Sequence, residues 1–110
     1  MEKNKEIYLF RILLETQIGK KSGVLSLSVC QNKIEGYLNI LGRKQFVHGV
    51  LTNDGCLLSG QLKTLISVFD YTAEGYFNDQ FITLTLCYKH GLLHLTGVCE
   101  NYSVKMIDLK

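Results

Sequence analysis

The sequence predicts an all-β protein: a small antiparallel meander β-barrel of about eight strands, with a two-sheet β-sandwich as the alternative. Between residues 23 and 99, short runs with an apolar residue at every second position are separated by turns rich in Gly, Asn and Asp. No segment after residue 20 combines helical periodicity with helix caps. Because parallel strands need crossover helices, the strands should be antiparallel and joined in sequence order. A chain of 110 residues can bury one core, so residues 1–110 are expected to form a single β-barrel domain.

Each predicted strand is bounded by a turn signal. The first segment, 7–15, fits a strand or a helix, since Ile7, Phe10 and Leu14 also lie on one helical face. The strongest turn is 52–55, because Asp54-Gly55 readily adopts the positive φ angles that a hairpin needs. Further strands are predicted at 23–30, 34–41, 45–51, 56–62, 64–77, 81–88, 92–99 and, as a separate final strand, 102–109.

Glycines recur inside the predicted strands. Gly36, Gly60 and Gly97 each lie two residues from a leucine and therefore share its inward face. An inward glycine lets a strand coil sharply enough for a small sheet to close, which favours the barrel over the sandwich. This spacing resembles the meander barrels of the calycin type, streptavidin-like and lipocalin-like proteins among them, and the resemblance implies an interior that holds an apolar ligand. The chain departs from lipocalins in having no Trp for the Gly-x-Trp of their first strand.

Composition and charge indicate the compartment and the class of partner. The N-terminal apolar run is interrupted by Arg11 and is too short to span a bilayer, so we expect a cytoplasmic protein without membrane attachment. The four cysteines never form Cys-x-x-Cys, which favours buried structural thiols. Tyr37, Phe46 and Tyr76 could stack on nucleic-acid bases, but a formal charge of +2 with cations in pairs argues against a nucleic-acid partner.

Motifs for catalysis and metal binding are absent from the sequence. It has no Gly-x-Ser-x-Gly, no glycine-rich phosphate loop and no His-Glu-x-x-His. His90 and His94 have the spacing of metal ligands on a helix, but here they span a hairpin, so we predict no metal and no cofactor. The interior is predicted to be apolar, without an acid, base or nucleophile, which indicates a protein that is not an enzyme. The predicted inward side chains are Leu25, Leu27, Val29, Ile34, Leu38, Ile40, Leu58, Leu62, Phe69, Tyr71, Ile82, Leu84, Leu86, Leu93 and Leu95.

The charges are predicted to segregate between the two ends of the barrel. If the chain bends between residues 62 and 65, the turns at 19–22, 42–44 and 89–91 share one end, which carries paired cations. Asp54, Glu74 or Asp79, and Glu100 then lie at the other end, with Lys33 as the basic exception. A basic end of this kind suits an acidic partner surface.

Apolar residues at outward positions point to a contact surface. Val24, Leu41, Leu57, Leu92 and Val98 alternate out of phase with the predicted core, and clustered exposed aliphatics mark contact sites. We therefore expect a non-enzymatic binding module of the adaptor or inhibitor type, which acts through protein–protein contacts with itself or another protein. The alternative function is a carrier that holds a small apolar ligand inside the barrel. The candidate contact residues are Lys20, Lys21, Arg43, Lys44, Lys89, His90, Leu41, Leu57, Leu92 and Val98.

Overall fold

The computed structural model describes residues 2–64 and 66–108, which form a closed antiparallel barrel. Each strand pairs with the next, and the last strand pairs with the first. The strands are β1 (Glu2–Thr16), β2 (Gly19–Cys30), β3 (Lys33–Ile40), β4 (Arg43–Leu51), β5 (Cys56–Lys63), β6 (Val68–Phe77), β7 (Phe81–Tyr88) and β8 (Gly91–Asp108). The predicted meander barrel is confirmed, whereas the sandwich alternative is wrong. The helical alternative for the first segment is also wrong, because that segment lies entirely in β1.

Alternation along each strand sends every second side chain into the barrel. All the predicted inward residues are buried except Phe69, which is partly buried and packs against the core. The core also contains residues that the sequence analysis left out: Tyr8, Phe10, Ile12 and Leu14 of β1, together with Val47, Cys56 and Ala73. The buried set spans all eight strands, so the interior is a single apolar core.

Two inward glycines permit close approach between neighbouring strands. A Cβ atom on Gly36 would overlap the backbone carbonyl oxygen of Ser26, the residue diagonal to it on β2. A Cβ atom on Gly60 would lie 2.9 Å from the hydroxyl oxygen of Tyr71, its partner on β6. The predicted inward glycines therefore make room for the tight coiling of the strands, as a small closed barrel requires.

The chain bends between β5 and β6, as the charge prediction requires. The Thr64 N–H donates to the Ser67 carbonyl oxygen at 2.8 Å, and the Ser67 N–H donates to Thr64 Oγ1 at 3.1 Å. The predicted strand 64–77 therefore begins later, at Val68. Leu65 lies outside the described residues. Because this bend separates two strands, the β1–β2, β3–β4, β5–β6 and β7–β8 loops all lie at the same end of the barrel.

The last two predicted strands are one strand. β8 continues through residue 99, and a bulge at Glu100 shifts its register against β1 between Leu9 and Phe10. Its pairing with β7 ends at Phe81–Val98, whereas its pairing with β1 continues to Asp108. We call the segments 2–8 and 102–108 the β1–β8 ribbon. The ribbon lies at the end opposite the four loops and helps to give the molecule its extents of 47 × 26 × 24 Å. Residue 109, the end of the predicted final strand, lies outside the described residues.

Candidate functional site

The barrel interior is filled by side chains. A cavity of about 10 Å³ remains among aliphatic residues that include Leu38, Leu58 and Leu95. That volume is no more than one water molecule occupies, so this cavity has no space for a larger ligand. Among the described residues, Gln45 is the one buried side chain that is neither aliphatic, aromatic nor a thiol.

The described residues hold no cluster of metal ligands. No three His, Cys, Asp or Glu side chains among those residues lie close enough to hold a metal ion. His94 lies opposite Thr85 on the outer wall, and Cys87 lies opposite Leu92. Cys56 is buried, and burial raises the pKa of its thiol to about 11, which keeps it protonated and unreactive at neutral pH.

Cations collect at the end of the barrel that holds the β1–β2, β3–β4, β5–β6 and β7–β8 loops, which we call the basic end. The predicted shared end for the turns at 19–22, 42–44 and 89–91 is confirmed by this topology. Six cationic side chains flank the four loops: Lys20, Lys21, Arg43, Lys44, Lys63 and Lys89. In the described residues, two carboxylates accompany them: Glu15 pairs with Lys20 at 3.7 Å, and Asp70 accepts a hydrogen bond from Gln61 at 3.1 Å. The basic end therefore carries a local excess of positive charge although the whole chain is close to neutral.

The opposite end holds carboxylates in its loops. Asp54 lies in the β4–β5 loop and Asp79 in the β6–β7 loop, while Lys33 begins β3 at the same end. Tyr8 and Tyr102 both donate hydrogen bonds to the Glu6 carboxylate, at 3.2 and 3.0 Å. Burial, reinforced by that carboxylate, raises the pKa of Tyr8, and the hydrogen bond to Glu6 is the largest cause that raises the pKa of Tyr102. The hydrogen bond from Tyr102 to Glu6 joins the two strands of the β1–β8 ribbon to each other.

An exposed aliphatic side chain lies in or beside each loop at the basic end. Ile18 is 86% exposed in the β1–β2 loop, and Ile66 is 95% exposed in the β5–β6 loop. Leu41 forms part of the β3–β4 turn, and Leu92 follows the β7–β8 turn. Four aliphatic side chains in or beside the loops of one end, flanked by cations, form an amphipathic surface that suits a protein contact.

Leu41 is held in a conformation that leucine disfavours. Its φ angle is 57°, and the next residue, Gly42, has a φ of 72°, so both central residues of this hairpin turn are left-handed. Such a conformation costs a residue with a Cβ atom about 1–2 kcal/mol, and glycine or asparagine occupies it at lower cost. The turn therefore keeps an exposed leucine at a position where a better turn residue would stabilise the fold, which points to a role in contact.

Buried Gln45 fixes two of the strand ends that carry the cations. Its side-chain Nε2 donates to the Arg43 carbonyl oxygen at 3.1 Å, and its Oε1 accepts from the Lys63 N–H at 2.6 Å. The two hydrogen bonds join the start of β4 to the end of β5. The sequence analysis missed Gln45 because glutamine usually lies on the surface. Gln45 lies two residues before Val47 and so points to the same face of β4, which is the pattern that could have identified it.

The structure brings eight of the ten predicted contact residues to the basic end and separates the other two. Leu57 lies on β5 near the acidic loops, next to Val50, and Val98 lies on the outer wall of β8, opposite Phe81. The sequence analysis also left out three residues of the basic end: Ile18, Lys63 and Ile66. For Ile18 and Ile66 the signal was an apolar residue within a turn, and for Lys63 it was a cation beside the predicted bend.

Aromatic side chains extend the basic end along the outer wall. The Tyr37 and Phe46 rings lie 6.0 Å apart, Phe46 stacks on His48 at 5.7 Å, and the Lys44 ammonium lies 4.5 Å from the centre of the Tyr37 ring. Tyr76, which the sequence grouped with them, instead lies beside Phe81 on another part of the wall.

Comparison with protein-family models, curated proteins and solved structures finds no significant match to this chain. The described residues include no helix long and apolar enough to cross a membrane.

Proposed function

We propose that this protein is a non-enzymatic binding module whose basic end contacts an acidic surface of a partner protein. The observation that carries the proposal is that each of the four loops at that end has an exposed aliphatic side chain in it or directly beside it, flanked by lysines or arginines. Such a surface supplies both of the contributions that protein–protein recognition uses. Cations at the rim speed association with an acidic partner, and apolar anchors in pockets supply much of the affinity.

The exposed isoleucines are suited to act as anchors. Burying a fully exposed aliphatic side chain is worth about 1.5–3 kcal/mol, and Ile18 and Ile66 are nearly fully exposed in the free protein. Because both occupy loop tips, a partner can enclose them without distorting the barrel. The Gln45 bridge holds the backbone at Arg43 and Lys63 in place before binding, which reduces the entropy lost on association.

The filled interior counts against the alternative carrier function. The calycin-like spacing pointed to a ligand inside the barrel, yet the cavity of about 10 Å³ is far below the roughly 300 Å³ or more that small-molecule sites offer. The proposal also places the protein in a reducing compartment, the cytoplasm, in keeping with its four free cysteines.

Native mass spectrometry of the protein purified from its source tests the proposal. A second, different chain retained in the complex supports a protein-binding module, whereas a retained small molecule supports the carrier. The affinity for the retained chain is then measured for two charge-reversal variants. Lys89→Glu at the basic end should weaken binding at least about fivefold and reduce its salt dependence.

Lys33→Glu is the matched control, since it makes the same change of charge at the opposite end of the barrel. Its affinity should equal that of the natural protein. Equal losses in the two variants, or a partner that binds Lys89→Glu normally, would contradict contact through the basic end. The variant Ile66→Ser tests the apolar contribution separately, because it changes no charge.

A further inference from the structure

The β1–β8 ribbon leaves one edge of β8 open. Beyond Cys99, which donates its N–H to the Gln80 carbonyl oxygen at 2.8 Å, β8 has β1 as its only strand neighbour among the described residues. Along 101–108, backbone N–H and C=O groups at alternate positions therefore point away from the sheet. An open strand edge is a template for pairing with another strand. β2 pairs with β1 only as far as Lys5, so residues 2–4 and their β8 partners form a ribbon of two strands. Two strands are only marginally stable in water by themselves, so a third strand would stabilise this part of the ribbon.

Two features limit strand pairing at this edge: Lys105, and the bulge at Glu100, which lies outside residues 101–107. The chain contains no proline, which is a common block to strand pairing at sheet edges. The face of the ribbon that continues the barrel interior carries Tyr102, Val104 and Met106, all of them exposed. Tyr102 is fixed by its hydrogen bond to Glu6 and by its ring contact with Tyr8, at 4.8 Å between ring centres. The edge is thus preorganised at its base and apolar along one face.

The edge is complementary to itself in one register. A two-fold axis perpendicular to the sheet pairs each β8 residue with a residue on the same face of the second copy. An axis through Val104 places Val104 opposite Val104 of the second copy, Tyr102 opposite Met106, and Ser103 opposite Lys105. An axis through Lys105 would place two ammonium groups opposite each other, and an axis through Ser103 would place Met106 against the bulge at Glu100.

The Val104 register also keeps the two barrels apart. The paired strands run in opposite directions, so the barrel of the second copy lies beyond the free end of the first copy's ribbon. The result is a continuous four-stranded sheet in the order β1–β8–β8–β1, with one barrel at each end. We propose that the protein forms a two-fold symmetric dimer by antiparallel pairing of residues 101–107 of β8 with the same residues of a second copy.

The proposed dimer uses the end of the molecule opposite the basic end, so it can hold or fail independently of the proposed partner contact. Sedimentation velocity of the full chain over a range of concentrations tests it. The natural protein should sediment as a dimer that dissociates on dilution. Val104→Lys and Val104→Glu should each dissociate at least about tenfold more readily, because each places two like charges opposite each other at the two-fold axis.

An equimolar mixture of Val104→Lys and Val104→Glu should restore the dimer as a mixed species, which native mass spectrometry identifies by its mass. Val50→Lys is the matched control: Val50 is 45% exposed on the barrel wall, close to the 50% of Val104, and its substitution should leave the dimer intact. Circular dichroism checks that every variant is folded. A natural protein that stays monomeric into the millimolar range, or Val104 variants that each dimerise normally, would overturn the proposal.

Discussion

Replacing Gln45 with methionine tests whether the buried bridge holds the basic end together. Methionine has a similar length but can neither donate to the Arg43 carbonyl oxygen nor accept from the Lys63 N–H, which Gln45 contacts at 3.1 and 2.6 Å. Gln45 is 4% exposed, so those two backbone groups lose their side-chain partner in a largely dry site. A buried polar group left without a partner costs about 1–3 kcal/mol. Burial of the apolar methionine side chain offsets part of that loss of stability.

The expected net loss in the free energy of unfolding is about 2 kcal/mol. For a domain of this size, such a loss lowers the melting temperature by roughly 8–16 °C. Urea denaturation followed by circular dichroism measures the free energy directly. Gln61→Met provides the control, because Gln61 is an exposed glutamine on the neighbouring strand that bonds to Asp70, and its loss should cost less than about 0.5 kcal/mol.

Equal stability of Gln45→Met and the natural protein would refute the bridge, since it would mean that Arg43 and Lys63 do not depend on the glutamine. A second readout connects the bridge with the proposed function. If Gln45 positions the cations before binding, its replacement should also weaken the partner contact at a temperature where the variant is fully folded.

Three further predictions concern stability and reactivity. Burial raises the pKa of Tyr71 to about 12, so the free energy of unfolding should be highest below pH 10 and fall as the pH rises from 10 to 12. In denaturation experiments over this pH range, Tyr71→Phe should lose about 2 kcal/mol less of that free energy than the natural protein. An equal loss in the two proteins would contradict the burial effect. Leu41→Asn should raise the free energy of unfolding by about 1 kcal/mol, because asparagine tolerates the left-handed φ of 57°. A less stable variant in the same denaturation assay would show that the leucine side chain is needed for folding. Iodoacetamide should modify exposed Cys87 first and buried Cys56 only after unfolding. Peptide mass spectrometry measures the order of labelling. Early labelling of Cys56 would contradict its burial.

The side-chain pattern identified most of the fold because it is local. Positions two residues apart, such as Leu25, Leu27 and Val29, share a face of any strand, so burial of one face is visible without knowing which strands are neighbours. Turn chemistry is equally local, and the turns at 52–55 and 78–80 could be placed from a few adjacent residues. The first segment was ambiguous for the same reason, since the spacing of Ile7, Phe10 and Leu14 fits a helix as well as a strand. Its pairing with β2 and β8 makes it a strand.

The candidate site was predictable in part. The sharing of one end by Lys20, Arg43 and Lys89 follows from counting strands, once the bend near residue 64 is assumed. The role of Gln45 could not be predicted from the sequence, because glutamine is usually a surface residue. Its role as an acceptor depends on the backbone N–H of Lys63, which lies 18 residues away on the neighbouring strand.

The sequence by itself determined an all-β chain, the inward leucines and the positions of most turns, since each of these depends on residues close together along the chain. The tertiary structure alone decided that β8 runs on past Cys99 as a ribbon, that the interior is filled, and that four exposed aliphatic residues lie at one end. Those features depend on contacts between distant residues, such as the hydrogen bond from Tyr102 to Glu6 across 96 positions. Local alternation can select the face of a strand, but only pairing over the whole chain fixes where each strand ends and which loops become neighbours.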